Sequence, residues 1–322
     1  MDDVAVGTLL ASTLRVSTPL ILCALASCLS ERSGVIDLGL EGKMLMTAFA
    51  AGAAAAVTGS LALALLIAAL IGVALSMLHG YACVSHRGDQ VVMGMAITMT
   101  AAGLTVVLGI AWFHQGGQTP PLPDTVRLSP WLSAPTSLLQ DGPPVIQTLA
   151  IALFGHNAIV YLALALVPAV WWLLSRTRFG LRLRAAGENP AMVDAAGVSV
   201  HGVRYAALAL NGVLCAIAGS YLVLAQNPSF IPNMTAGRGY MALAAMIFGK
   251  WNPVGALLAC LLFGFLDAGA IRLQGAPLPL IGAVPVQAIQ ALPYVMTVVL
   301  LAGFIGRARA PKALGVPYAK AH

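Results

Sequence analysis

Charge is what this sequence has least of. Asp, Glu, Lys and Arg make up only 9% of its 322 residues, against 59% hydrophobic residues and a mean hydropathy of +0.89. A soluble globular domain carries about 25% charged residues, so water is not the main solvent of this chain. Enzyme motifs are missing as well: there is no HExxH and no GxSxG, and His79, His86, His114, His156, His201 and His322 are scattered. Hydrolytic and metal-assisted chemistry have no constellation to act through. At Gly249-Lys250 a phosphate-binding loop would find Ala244 in place of its first glycine and Trp251 in place of Ser or Thr, which disfavours ATP hydrolysis in this chain. The cysteines at 23, 28, 83, 215 and 260 lie in or beside apolar stretches without CxxC spacing and read as packing residues, not metal ligands. Met1-Asp2-Asp3 is acidic where a secretory signal is basic, so the first apolar run is expected to stay in the mature protein.

What is present in quantity is apolar runs, near 16–30, 43–59, 61–84, 91–113, 157–175, 203–225, 240–271 and 286–305. They lack the period-2 alternation of membrane-barrel strands, so helices are expected. At about 20 residues per span there is room for roughly eight to ten. The expected fold is an all-α polytopic transmembrane bundle with broken or re-entrant segments, a single domain over 1–322. Stretches such as Ala48–Ala56 and Gly264–Ala270 are dense in small residues, as helix–helix packing requires. Residues 114–156 hold seven prolines and only three charges. No continuous helix tolerates that, and an extracytoplasmic loop is expected. The net charge of +6 gathers between runs: Arg176, Arg178, Arg182, Arg184 and Arg204 in one connection, Arg307, Arg309 and Lys312 after the last run. Both clusters, with His86-Arg87, belong on the cytoplasmic side. The basicity follows membrane topology, and the partner it implies is lipid, not nucleic acid.

Three segments depart from the apolar background. Residues 31–43 pack five charges and three glycines between two runs, and irregular backbone at membrane depth survives only against protein or a water-filled cavity. Asp37 and Glu41, four apart, would repel on one helical face and call for partners such as Arg32 or Lys43. In residues 176–204, Asn189 suits an N-cap, Pro190 the first helical position and Gly197 a left-handed stop. The two-turn helix so defined has an apolar side of Met192, Val193 and Ala196, which either docks on a soluble partner or lies on the headgroups. Near 233–240, a glycine pair around Arg238 follows Asn233 and precedes a second Ala/Met-rich stretch, as Gly39–Gly42 precedes Met44. An arginine there is a candidate substrate contact or a snorkelling anchor.

These segments together resemble ABC-transporter inner-membrane permeases. The resemblance rests on Ser33–Gly42, on Phe179–Pro190, on Asp194–Gly197 and on Gly237–Tyr240. The nearest group is the simple-sugar and nucleoside importers, in the wider family of ribose and branched-chain amino acid permeases. The resemblance implies a non-enzymatic permease in the cell inner membrane, with ATP and Mg used by a separate ATP-binding subunit and no cofactor in this chain. It also implies a second homologous permease and an extracytoplasmic substrate-binding protein. Residues 176–204 become the coupling loop, with Arg182, Arg184, Glu188, Asn189, Met192, Val193, Ala196 and Gly197 facing the ATPase. Asp37, Glu41, Asn233 and Arg238 are the expected substrate-pathway residues. Nucleosides are the expected cargo, ahead of ribose-like sugars and branched-chain amino acids. One position departs: nucleoside-type members usually carry Asn where this chain has Asp37, and Asp is common in the ribose type. Within the spans only Asp37, Glu41 and Asp267 could serve ion coupling, so a secondary transporter is the distant alternative.

Overall fold

Polar residues at the junctions of the apolar runs serve as helix caps. The computed structural model describes residues 3–132, 143–273, 277–278, 282–283, 291, 295 and 309–319. Asp89 Oδ1 accepts the amides of Val91 and Val92 at 2.8 and 2.9 Å. Ser60, Asn157, Thr177, Asn189 and Ser199 each accept the amide three residues on. The caps help divide the chain into α1 (Asp3–Arg32), α2 (Leu40–Thr58), α3 (Leu61–Gly80), α4 (Gln90–Phe113), α5 (Pro144–Leu153), α6 (Ala158–Arg176), α7 (Arg178–Glu188), α8 (Pro190–Ala195), α9 (Val200–Tyr221), α10 (Arg238–Phe248) and α11 (Pro253–Leu273). Single π-turns prolong α3 over Tyr81–Ser85 and α9 over Leu222–Gln226. Strand pairing among the described residues is limited to a two-residue hairpin, Pro277–Leu278 with Gly282–Ala283, and an isolated bridge between Pro130 and Asn157. The fold is the expected all-α bundle.

Among the described residues seven helices, α1 to α4, α6, α9 and α11, are long and apolar enough to cross a bilayer. The interrupted seventh run divides at residues 249–252 into the 11-residue α10 and the full-length α11. The last apolar run, 286–305, lies outside the described residues apart from 291 and 295. Burial sorts the spans into two shells. The apolar windows of α1, α2 and α9 are 67%, 83% and 78% buried, those of α3 and α4 only 22%, so the first three form the centre and the other two present Leu66, Leu70, Met99 and Val107 outward. Packing of the outer helices onto the centre relies on missing side chains. A Cβ on Gly72 of α3 or Gly212 of α9 would strike the carbonyl oxygen of the other, so the two backbones touch.

Two helices lie where the sequence offered none: α5 inside the proline-rich stretch and α7 inside the arginine-rich one. α5 packs on the start of α1, with Ile151 and Thr148 against Gly7. At the other end of α1, the Arg32 carbonyl lies under Gly187 of α7, and the Ala313 amide donates to the Gly187 carbonyl at 2.8 Å. A 30-residue helix is about 45 Å long. The proline-rich and arginine-rich connections therefore stand at opposite ends of the bundle, and the tail over 309–319 joins the arginine-rich end.

Candidate functional site

The first irregular segment starts where α1 stops. Gly34 takes φ +92°, and the chain then crosses the interior with Ser33, Val35 and Asp37 fully buried. The Ile36 amide is met by Gln90 Oε1 at 2.7 Å. Asp37 shares its carboxylate: Oδ1 accepts the Gly39 amide at 3.0 Å and Oδ2 accepts Lys43 Nζ at 2.6 Å. Lys43, one turn into α2 and wholly buried, also donates to Asn211 Oδ1 of α9 at 3.1 Å, which accepts in turn from Ser76 of α3 at 3.2 Å. His79 Nδ1 stands 3.7 Å from Asp37 Oδ1. One ion pair thus ties the broken segment to α2, α3 and α9. Buried charge survives only when paired and bonded in this way.

The second irregular segment leaves α9 after Gln226 and runs extended against the proline-rich connection. Leu122 N donates to Pro228 O at 2.7 Å, and Phe230 N to Thr119 Oγ1 at 2.9 Å. After turns with positive φ at Asn233, Ala236 and Gly237 it starts α10. The amides of Gly237 and Gly239 donate to Glu41 Oε1 and Oε2 at 2.8 and 2.6 Å. Glu41 of α2 is therefore the cap of α10, supplied from elsewhere in the chain: its carboxylate satisfies amides that no preceding turn can reach and sits at the positive end of the helix dipole. Gly239 permits the approach, since a Cβ there would lie 2.6 Å from Glu41 Cα. The two glycine segments looked like weakly related repeats in the sequence. In the fold they are lock and key.

Of the expected pathway residues, then, Asp37 and Glu41 have their carboxylates bonded within the protein, Asn233 is exposed and Arg238 half-buried, its Nη1 donating to Gln226 Oε1 at 3.3 Å. The mutual repulsion of Asp37 and Glu41 is resolved separately: Lys43 takes the first and backbone amides the second.

The arginine-rich end is built around α7 and α8. Asn189 caps α8 through the Met192 amide at 3.2 Å, and Gly197 ends it at φ +76°. Both features match the sequence expectation. The two helices enclose an apolar hollow of about 380 Å³ lined by Leu181, Ala185, Met192, Val193, Ala196 and Val198. Met192 and Ala196 are exposed, as are Arg182 and Glu188, while Arg184 is half-buried. Val193 differs from expectation: at 7% exposure it packs into the bundle core and holds α8 down. The fully buried Arg204 was placed in the sequence as one charge in a basic cluster. It donates to the carbonyls of Ser33 and Val316 at 3.2 and 3.3 Å. With Gly315 N donating to Gly34 O at 3.1 Å, it staples the tail across the start of the first irregular segment. On the same end Trp251 Nε1 donates to Glu31 Oε2 at 2.7 Å and Arg32 Nε to the Trp251 carbonyl at 2.9 Å, locking the α10–α11 junction to α1. Among the described residues no group of His, Cys, Asp and Glu could hold a metal ion.

Comparison with known proteins gives this geometry its context. The profile of the family described as branched-chain amino acid transport system, permease component, matches residues 9–303. A nucleoside ABC transporter permease protein of Lactococcus lactis is 38% identical over 97% of this chain and 96% of its own length. A guanosine ABC transporter permease protein of Bacillus subtilis is 37% identical over 99% of each chain. A solved chain described as from a metal-chelate type ABC transporter, in an inward-facing conformation, has a TM-score of 0.50 at 17% identity, covering 91% of this chain and 84% of that one. At that identity the likeness is one of fold alone. The chain belongs to the family of branched-chain amino acid transport system permease components, and it is a multi-pass inner-membrane permease of an ABC importer, in the group whose motifs its sequence resembles.

Proposed function

We propose that this permease passes nucleosides into the cell, powered by an ATP-binding subunit that docks on α7 and α8. The observation that carries the substrate is full-length similarity: the two relatives named for nucleoside and guanosine transport align over 97% and 99% of the chain. The polar inventory supports a neutral cargo. Asp37 is paired with Lys43 at 2.6 Å, and both carboxylate oxygens of Glu41 accept amides of the α10 start. Neither carboxylate is left free to attract or coordinate an ion. Asp37 loses its weight as a sign of a ribose-type cargo for the same reason, because its charge answers the buried Lys43.

In this reading the arginine-rich end faces the cytoplasm and the proline-rich connection faces a substrate-binding protein outside. A second, homologous permease completes the pathway, and ATP with Mg is consumed in the partner subunit. Met192, Ala196, Arg182 and Glu188 form the ATPase-facing surface, and the stapled tail and Arg204 carry its movement to the Ser33–Gly39 segment. The test is uptake in proteoliposomes holding all partner subunits. Labelled adenosine should enter only with ATP inside the compartment that holds the ATPase, with or without a sodium gradient. Uptake driven by sodium without ATP would overturn the proposal.

A further inference from the structure

At the end opposite α7 and α8, two adjoining hollows of about 440 and 380 Å³ share Arg15, Asn157 and Ala225 in their walls. Their size falls in the range of small-molecule sites, about 300–1,000 Å³. Their walls are unlike a lipid-facing surface. Arg15 lies inside the first apolar span and is exposed, Arg238 heads α10, and Arg272 stands in the last turn of α11. A guanidinium turned to hydrocarbon is costly, so a face presenting three of them, with Gln226 and Asn227 among them, borders water.

The arrangement is built, and its origin is legible in one residue. Pro19 lies inside α1 and has no N–H, so the Arg15 carbonyl four residues earlier loses its helical donor. The Tyr221 hydroxyl and Gln226 Nε2 donate to that carbonyl instead, each at 3.0 Å, and Gln226 Oε1 accepts from Arg238. α1, α9 and α10 are joined at this point. Arg272 donates to the Ala5 carbonyl at 2.6 Å and to Thr8 Oγ1. In the second hollow His156 is only 3% exposed, and its Nε2 donates to the Ala152 carbonyl at 2.8 Å, which makes Nδ1 an acceptor. That Nδ1 is buried without a partner among the described residues, as is Nε of Arg127 in the same wall. The described walls carry Arg15, Arg127, Arg238 and Arg272 against one carboxylate, Asp124, which is itself paired with Arg127 at 3.6 Å.

We infer that these hollows form a solute vestibule, in which Arg15 and Arg238 hydrogen-bond a neutral solute rich in acceptor oxygens and ring nitrogens before it passes α10. This rests on the import reading and deepens it. The guanidiniums repel cations and donate to hydroxyls and ring carbonyls. They do not clamp a compact dianion, because Arg272 and Arg238 are tied to different helices by the bonds just described. Water or solute completes the orphaned His156 and Arg127 nitrogens.

The experiment uses the complete importer in proteoliposomes. Asn227→Cys introduces a thiol at the wall, against a background of five native cysteines that are all buried. A bulky, membrane-impermeant thiol reagent should modify it and block uptake, and saturating adenosine should slow the reaction. Arg238→Gln should raise the adenosine concentration for half-maximal uptake about tenfold, the loss of one charge-assisted hydrogen bond, with a smaller change in maximal rate. Several results overturn the vestibule while leaving import standing: a thiol that reacts equally with and without adenosine, cross-linking through position 227 between two permeases, loss of bound phospholipid in Arg238→Gln with unchanged uptake, or inhibition of uptake by adenosine monophosphate as strong as by adenosine. An importer whose unmodified form takes up no adenosine, but whose thiol at 227 is protected by another oxygen-rich neutral solute, sinks the nucleoside reading and keeps the vestibule.

Discussion

Asp37 and Lys43 are both wholly buried and 2.6 Å apart. Each is tolerable because of the other, and removing one partner of a buried pair costs about 3–5 kcal/mol. Asp37→Asn should therefore lower the unfolding temperature of the detergent-solubilised protein markedly, and adding Lys43→Met should restore most of the loss. A wild-type unfolding temperature in the single variant would contradict the pairing. Glu41 behaves differently, since its partners are backbone amides. Glu41→Ala leaves the Gly237 and Gly239 amides without acceptors, at about 1–3 kcal/mol. Glu41→Gln keeps one acceptor and should fall between alanine and wild type in the same unfolding assay. Alanine as stable as glutamine would argue against the cap. The contrast explains what the sequence could disclose. Two carboxylates four apart announce a need for partners, and Lys43 is near enough in the chain to be named. The partners of Glu41 are amides almost 200 positions away, and a backbone amide is written in every letter alike.

Among the elements, α8 was legible to the residue because capping is local: Asn189, Pro190 and Gly197 each act within one turn of themselves. α7 was not, because 178–188 mixes three arginines and glutamate with two glycines and shows little apolar run. Its helix is decided by what Gly180 and Gly187 press against, the Leu173 and Arg32 carbonyls. Which apolar side chain of α8 faces out was also unreadable, since Met192 and Val193 are adjacent and only tertiary packing turns Val193 inward. Two substitutions separate these roles. Met192→Glu charges an exposed side chain and should leave the unfolding temperature unchanged while abolishing the permease's stimulation of the ATPase. Gly197→Val meets no neighbour within 4 Å, so its cost is the left-handed backbone alone, about 1 kcal/mol. It should lower stability slightly and coupled ATPase activity more. Full stimulation in Met192→Glu would remove α8 from the docking surface.

For the molecule as a whole, composition alone settled the bundle, because burial in lipid leaves a helix no choice but to satisfy its own backbone. What composition could not show is that the interior is organised by a few polar clasps joining distant parts: Lys43 to Asn211, Glu41 to the start of α10, Arg204 to the tail, and Tyr221 to Arg15. Three clasps hold an irregular segment or its neighbour, and together they link the arginine-rich end to the hollows at the opposite end. The proposed passage for neutral solutes thus runs between a docking surface and a vestibule, with nucleosides as its cargo. Competition for uptake of labelled adenosine by the assembled importer tests this most directly. Unlabelled guanosine and adenosine should compete strongly and ribose weakly, with leucine inert; inhibition by leucine alone would contradict it.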